Sequence, residues 1–193
     1  MEDIQHTQGM LSNIFGIEPQ AAEAVFHHPC EREILIQSIE ILQKSETGAH
    51  LLGVLNEKDI GVKVIKNRNA HGYTPDMKNI FLGVPPEQEE ADTFVVLELG
   101  GAVREIEQDI VGFKMPREDE DPLTAASIKH AKYLDIIVYL CKIAIELEKS
   151  TGSTEYVETL EKLGHGDVLQ AYLAQAGDEE MISAYAKAHN KVQ

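Results

Sequence analysis

Val96, Leu99, Val103, Ile106, Ile110 and Phe113 recur at steps of three and four residues, and this spacing restricts the fold more than any other stretch of the chain. It is the seam of an amphipathic helix, an apolar stripe that must face a core. The opening of the stretch, from Thr93 to Leu97, would by itself also suit a strand ending at a Gly-Gly turn; the longer window favours the helix. Asp92 or Thr93 can cap its start. Gly100 and Gly101 fall in its middle and together cost about 2 kcal/mol relative to alanines. A helix that keeps such a pair has a local reason for it, such as a neighbouring element packed close to its backbone.

The same periodicities set out the remaining elements. Helices are predicted over 4–15, 21–28 behind Pro19, 31–44 behind Pro29, and 50–56, with Thr47-Gly48 as punctuation between the last two. Residues 60–65 alternate apolar with small or polar residues, and 79–83 read as a second strand beyond an Asn- and Gly-rich turn at 67–72. A small antiparallel sheet of two or three strands is the expected result. Past a charged loop near 114–121, the longest helix is predicted over 123–150, with Ile128, Leu134, Ile137, Val138, Cys141, Ala144 and Ile145 on its apolar face. That makes it the candidate core helix. Three short helices follow near 155–163, 167–176 and 179–189. The fold class is therefore α+β, mainly helical. Its expected organisation is an N-terminal helical segment (1–45), a core (46–165) and a C-terminal helical appendage (166–193), within one globular unit.

With 43% hydrophobic residues the chain can bury a substantial core. Its formal charge of −16, from 33 acidic against 17 basic residues, argues against nucleic acid and anionic membrane as partners, since both call for clustered Lys and Arg. Cys30 and Cys141 are far apart and form no CxxC or disulfide framework; Cys141 reads as a small buried hydrophobe. The acidic, polar first residues do not resemble a signal peptide, and no apolar run approaches the roughly 20 residues needed to cross a bilayer. A cytoplasmic setting is expected.

The chemistry-bearing candidate lies in the helix of the opening paragraph. Val95-Val96-Leu97-Glu98-Leu99-Gly100-Gly101-Ala102-Val103-Arg104 reads as a zinc-peptidase helix without its zinc ligands. An HExxH helix needs two histidines four residues apart on one face, and a glutamate between them to take a proton from the metal-bound water. Glu98 stands where that glutamate would be, but the ligand positions hold Leu97 and Gly101. The segment resembles a bacterial family of metallopeptidase-like domains whose helix has the form L-A-H-E-L-R-H-A-W-Q. Glu98, Leu99 and Ala102 match that form; the histidines, arginine, tryptophan and glutamine are replaced. Gly72-Tyr73 and Asn79-Ile80-Phe81-Leu82 are similar to the family's Gly-Tyr turn and Asn-x-Ile-x-Leu strand. Lys132-Tyr133-Leu134-Asp135 is similar to the start of the helix that carries an acidic residue, a candidate third ligand. The resemblance covers roughly residues 45–165 and implies a minimal-zincin-like arrangement of helices beside a small sheet.

The expected function is thus a catalytically degenerate metallopeptidase-like domain retained to bind a peptide or protein. Glu98 is its vestigial general base, and Leu97, Gly100, Gly101 and Asp135 surround the groove where a metal would sit. No cofactor is expected: His27, His28 and Cys30 are split by Pro29, and His71 and His130 stand alone. Two other readings stand beside it. One is an active metal-dependent hydrolase using Glu98, Asp135 and a distant histidine; the other is an unrelated helical interaction or assembly protein. Nucleotide-binding and nucleophile-elbow motifs do not occur, and the acidic runs at 87–92 and 118–121 lack EF-hand spacing.

Overall fold

The computed structural model describes residues 29–65, 72–74, 78–83, 91–113, 115–117 and 119–190. The helices predicted over 4–15 and 21–28, the loop at 84–90, and His27, His28 and His71 lie outside them. The elements in chain order are α1 (Pro29–Leu42), α2 (Glu46–Lys58), β1 (Gly61–Ile65), β2 (Gly72–Thr74), β3 (Asn79–Gly83), α3 (Ala91–Ile110), α4 (Pro122–Thr151), α5 (Glu155–Lys162), α6 (Gly166–Leu173) and α7 (Asp178–Asn190). The fold is α+β and mainly helical. None of the described helices is long and apolar enough to cross a membrane.

The sheet is mixed rather than antiparallel. Its order is β1-β3-β2; β3 pairs with β1 in parallel and with β2 antiparallel. The expectation paired the two strands visible in sequence as neighbours. The third strand, β2, has only three residues, too few to show alternation, and its Gly72 falls in the turn predicted at 67–72. Val62 lies opposite Ile80 and Val64 opposite Leu82, all buried, while Lys63 faces outward and reaches over the Phe81 ring. One face of the sheet thus lies on the helices, as period-2 alternation requires.

The α1–α2 junction also departs from expectation. Thr47 and Gly48 do not separate two helices; they form the first turn of α2, which Ser45 caps by accepting a hydrogen bond from the Gly48 amide at 2.9 Å. Glycine is needed at 48 because a Cβ there would come within 2.3 Å of the Leu42 carbonyl oxygen. The cap is tied to α4. Glu146 accepts bonds from Ser45 Oγ (2.6 Å), the Thr47 amide (2.8 Å) and Thr47 Oγ1 (2.9 Å). Burial alone would raise the Glu146 carboxyl, but these bonds and nearby Lys142 outweigh it and hold the group below its ordinary range.

The core helix is α3, not α4. Phe94, Val95, Val96, Leu97 and Leu99 are all buried, so the first half of α3 is covered nearly all round. It packs on α1, α2, α4, α5 and the sheet. Its start at Ala91 puts Asp92 and Thr93 inside the first turn rather than at the cap. The seam is buried from Val96 to Ile106, and Ile110 at the helix end is half exposed. By contrast, α4 begins in solvent, with Leu123 81% exposed, and turns amphipathic only further on, where Ile137, Leu140, Cys141, Ala144 and Leu147 are buried. Asp121 caps it by accepting from the Leu123 and Thr124 amides, with Pro122 in the first turn. Burial pushes the Cys141 thiol up to about 12, consistent with its reading as a small hydrophobe. A single apolar cluster runs from Ile34 on α1 to Tyr185 on α7.

Candidate functional site

α3 and α4 cross beside the glycine pair. A Cβ on Gly100 would meet Ile143 Cδ1 at 3.0 Å, and one on Gly101 would meet Ile136 Cγ2 at 3.4 Å. This is the close neighbour that the pair implied. The two glycines do different work. Gly100 is buried against Ile143 and Leu140. Gly101 opens onto a groove of about 430 Å³ between α3 and α4. Replacing Gly101 by alanine is expected to raise stability by about 1 kcal/mol, since helix propensity improves at an ordinary contact distance. Gly100→Ala gains the same propensity but presses on fully buried Ile143, so its melting temperature should stay below that of Gly101→Ala. Thermal unfolding of the pair checks the order.

The groove takes its floor and one wall from a stripe of α3: Leu97, Glu98, Gly101, Ala102 and Glu105. These positions share a face because they are spaced by three, four and seven residues. Across from them stand Ile136, Ile137 and Leu140 of α4. Tyr133, His165 from the turn before α6, and Tyr185 of α7 close the remaining sides; the Tyr185 ring meets His130 edge-on at 5.8 Å. Of the residues proposed from sequence, the structure brings Leu97, Glu98 and Gly101 together on this surface. Glu105, Tyr133, His165 and Tyr185 were not foreseen. Glu105 was within reach of the sequence, seven residues past Glu98 on the same stripe; the others come from distant elements and carry no local signal.

Asp135 does not join the groove. Its carboxylate receives Arg104 Nε at 2.7 Å and Nη2 at 3.0 Å, together with Gln108 Nε2 at 2.6 Å. It therefore belongs neither to the groove rim nor to a free solvated stripe. Arg104 and Gln108 lie seven residues beyond Leu97 and Gly101, about 10.5 Å along the helix axis. Opposite Leu97 and Gly101, where a third ligand would have to stand, α4 offers apolar Ile136 and Leu140.

Around Asp135 the polar groups form one network joining three helices. Arg104 also donates to Glu107 at 2.5 Å and stacks with its guanidinium carbon 3.8 Å from the Tyr139 ring centroid. Glu107 in turn contacts His50 of α2 at 2.7 Å. Burial works against the charge on Arg104, but the bonds to Asp135 and Glu107 outweigh it and raise its pKa above the ordinary value. Burial likewise opposes ionisation of Glu107; the bonds from His50 and Arg104 outweigh that and lower its pKa. One turn further, Lys132 is only 1% exposed. Its ammonium donates to Asp109 at 2.9 Å and to the Phe113 carbonyl at 2.6 Å, and so ties the last turn of α3 and the residues just after it to α4.

The donor set does not fit zinc. Leucine and glycine at the two ligand positions offer no donor atom, and the nearest acidic residue of α4 is committed to Arg104. Among the described residues, no group of three or more His, Cys, Asp or Glu is placed to hold a metal ion. Comparison of the whole chain with family models, curated proteins and solved structures finds no match.

Proposed function

We propose that this chain is a metallopeptidase-like domain that has lost hydrolytic chemistry and keeps its groove to bind a peptide or protein segment. One observation carries the reading: Leu97, Glu98 and Gly101, the three defining positions of an HExxH frame, open onto a single groove over which α4 crosses. Glu98 then sits as a general base would, but with no ligand positions beside it to hold an activating metal. A carboxylate without a metal beside it removes a proton from unactivated water poorly. What remains is a concave, largely apolar surface with a few polar groups, the usual character of a binding site. The hydrolase built on Glu98, Asp135 and a distant histidine is disfavoured because Asp135 does not line the groove and its carboxylate is bonded to Arg104 and Gln108. In this reading the protein works in a cytoplasm, which suits its buried free thiol at Cys141.

The frame is tested by restoring its ligands. The double variant Leu97→His, Gly101→His places two imidazoles four residues apart beside Glu98 and should take up zinc in the micromolar range or tighter, read by competition with a chromogenic chelator. A folded double variant with no more zinc affinity than the parent would remove the metallopeptidase frame. The unrelated-interaction reading would then be left in its place.

A further inference from the structure

The polar groups of the groove narrow its occupant. Glu98 and Glu105 are seven residues apart on α3, hence on one stripe and about 10.5 Å apart along the axis. Between them the floor is made of Gly101 and Ala102, and the facing wall is Ile136 and Leu140. Burial raises the Glu105 carboxyl more than neighbouring Lys132 lowers it, with Asp109 adding to the rise, so this group would gain from a cation brought close. The chain's charge of −16 favours approach of a basic partner at long range.

An extended strand presents same-face residues about 6.7 or about 13.4 Å apart, and neither interval matches the axial spacing of the two residues. A helix presents residues i and i+7 on one face at the required interval. A groove of about 430 Å³ takes the anchoring side chains of such a helix rather than its whole width.

Resting on the reading of the groove as a peptide-binding surface, we propose that its occupant is a basic amphipathic helix. Lys or Arg at positions i and i+7 would meet Glu98 and Glu105, and apolar residues at i+3 and i+4 would insert over Gly101 and Ala102 toward Leu140. This is helix-in-groove recognition with its charge register set by α3.

The test uses the full chain, ¹⁵N-labelled, titrated with synthetic capped helical peptides. One carries Lys at i and i+7 with Leu at i+3 and i+4; a second has both Lys replaced by Gln; a third keeps the composition but has a central proline. The Lys peptide should shift the Gly101 and Ala102 amides. Its affinity should fall roughly tenfold or more in the near-isosteric variant Glu98→Gln, Glu105→Gln, and by a similar factor for the Gln peptide. Equal binding of the Gln or proline peptide at the same amides would overturn the basic-helix occupant while leaving the groove reading intact. If no peptide moves those amides, both fall.

Discussion

Asp109→Ala is expected to cost the fold about 3 kcal/mol, the low end of the range for breaking a buried ion pair. Lys132 keeps 2% of its side-chain surface, whereas Asp109 keeps 34%; the loss falls on the lysine, which cannot recover its water when the carboxylate is gone. Among the described residues the Phe113 carbonyl would then be left to accept from it. Lys132→Met should cost less, because it removes the buried charge itself and leaves behind an aspartate that reaches solvent. Urea unfolding of the two variants decides the matter. If Lys132→Met is the more damaging, the lysine acts chiefly through the Phe113 carbonyl, holding the residues just beyond α3, and the ion pair is secondary.

A second large effect is expected at Arg104. Arg104→Met keeps an aliphatic stem but removes the guanidinium that stacks on Tyr139 and holds Asp135 and Glu107 together, at a cost of about 2 kcal/mol. The loss should depend on pH. The pKa of Glu107 is depressed in the folded state from an ordinary value of 4.5, so its contribution is fully present above that value. The contribution disappears as pH falls through the folded value. The gap in urea midpoint between wild type and Arg104→Met should therefore narrow between about pH 7 and about pH 3. A gap that stays constant over that interval would assign the loss to packing on Tyr139 instead of to charge.

How much of this was legible beforehand depended on whether the relevant partner was near in sequence. These helices were legible because each writes its own period: α3, α4 and the three short ones after them fall within a few residues of their predicted bounds. The close contact at Gly100-Gly101 was legible as an unexplained propensity cost. The role of Asp135 was not. Its side of α4 looks solvated when only Lys142, Glu146 and Lys149 are considered, and what commits it is an arginine on another helix. Lys132 sits among Lys129 and His130 and looks like a surface residue until the end of α3 is brought over it. Gly48 misled for a related reason: glycine before a helical run looks like a break, and only the Leu42 carbonyl explains why it lies inside the first turn. Pairing direction in the sheet was similarly hidden, because the strand between β1 and β3 is too short to announce itself.

That wiring also bears on how the chain is made. β3 is last of the three strands in sequence and central in space, so β1 leaves the ribosome with no partner to pair with. β2 and β3 can close on each other across a short turn, whereas β1 must wait for a longer loop to bring β3 alongside it. Until then Val62 and Val64 lack the strand that covers them, with Lys63 as the charge between them that discourages pairing with another nascent chain. A translational pause before Asn79 would prolong that exposure, and one after Gly83 would end it.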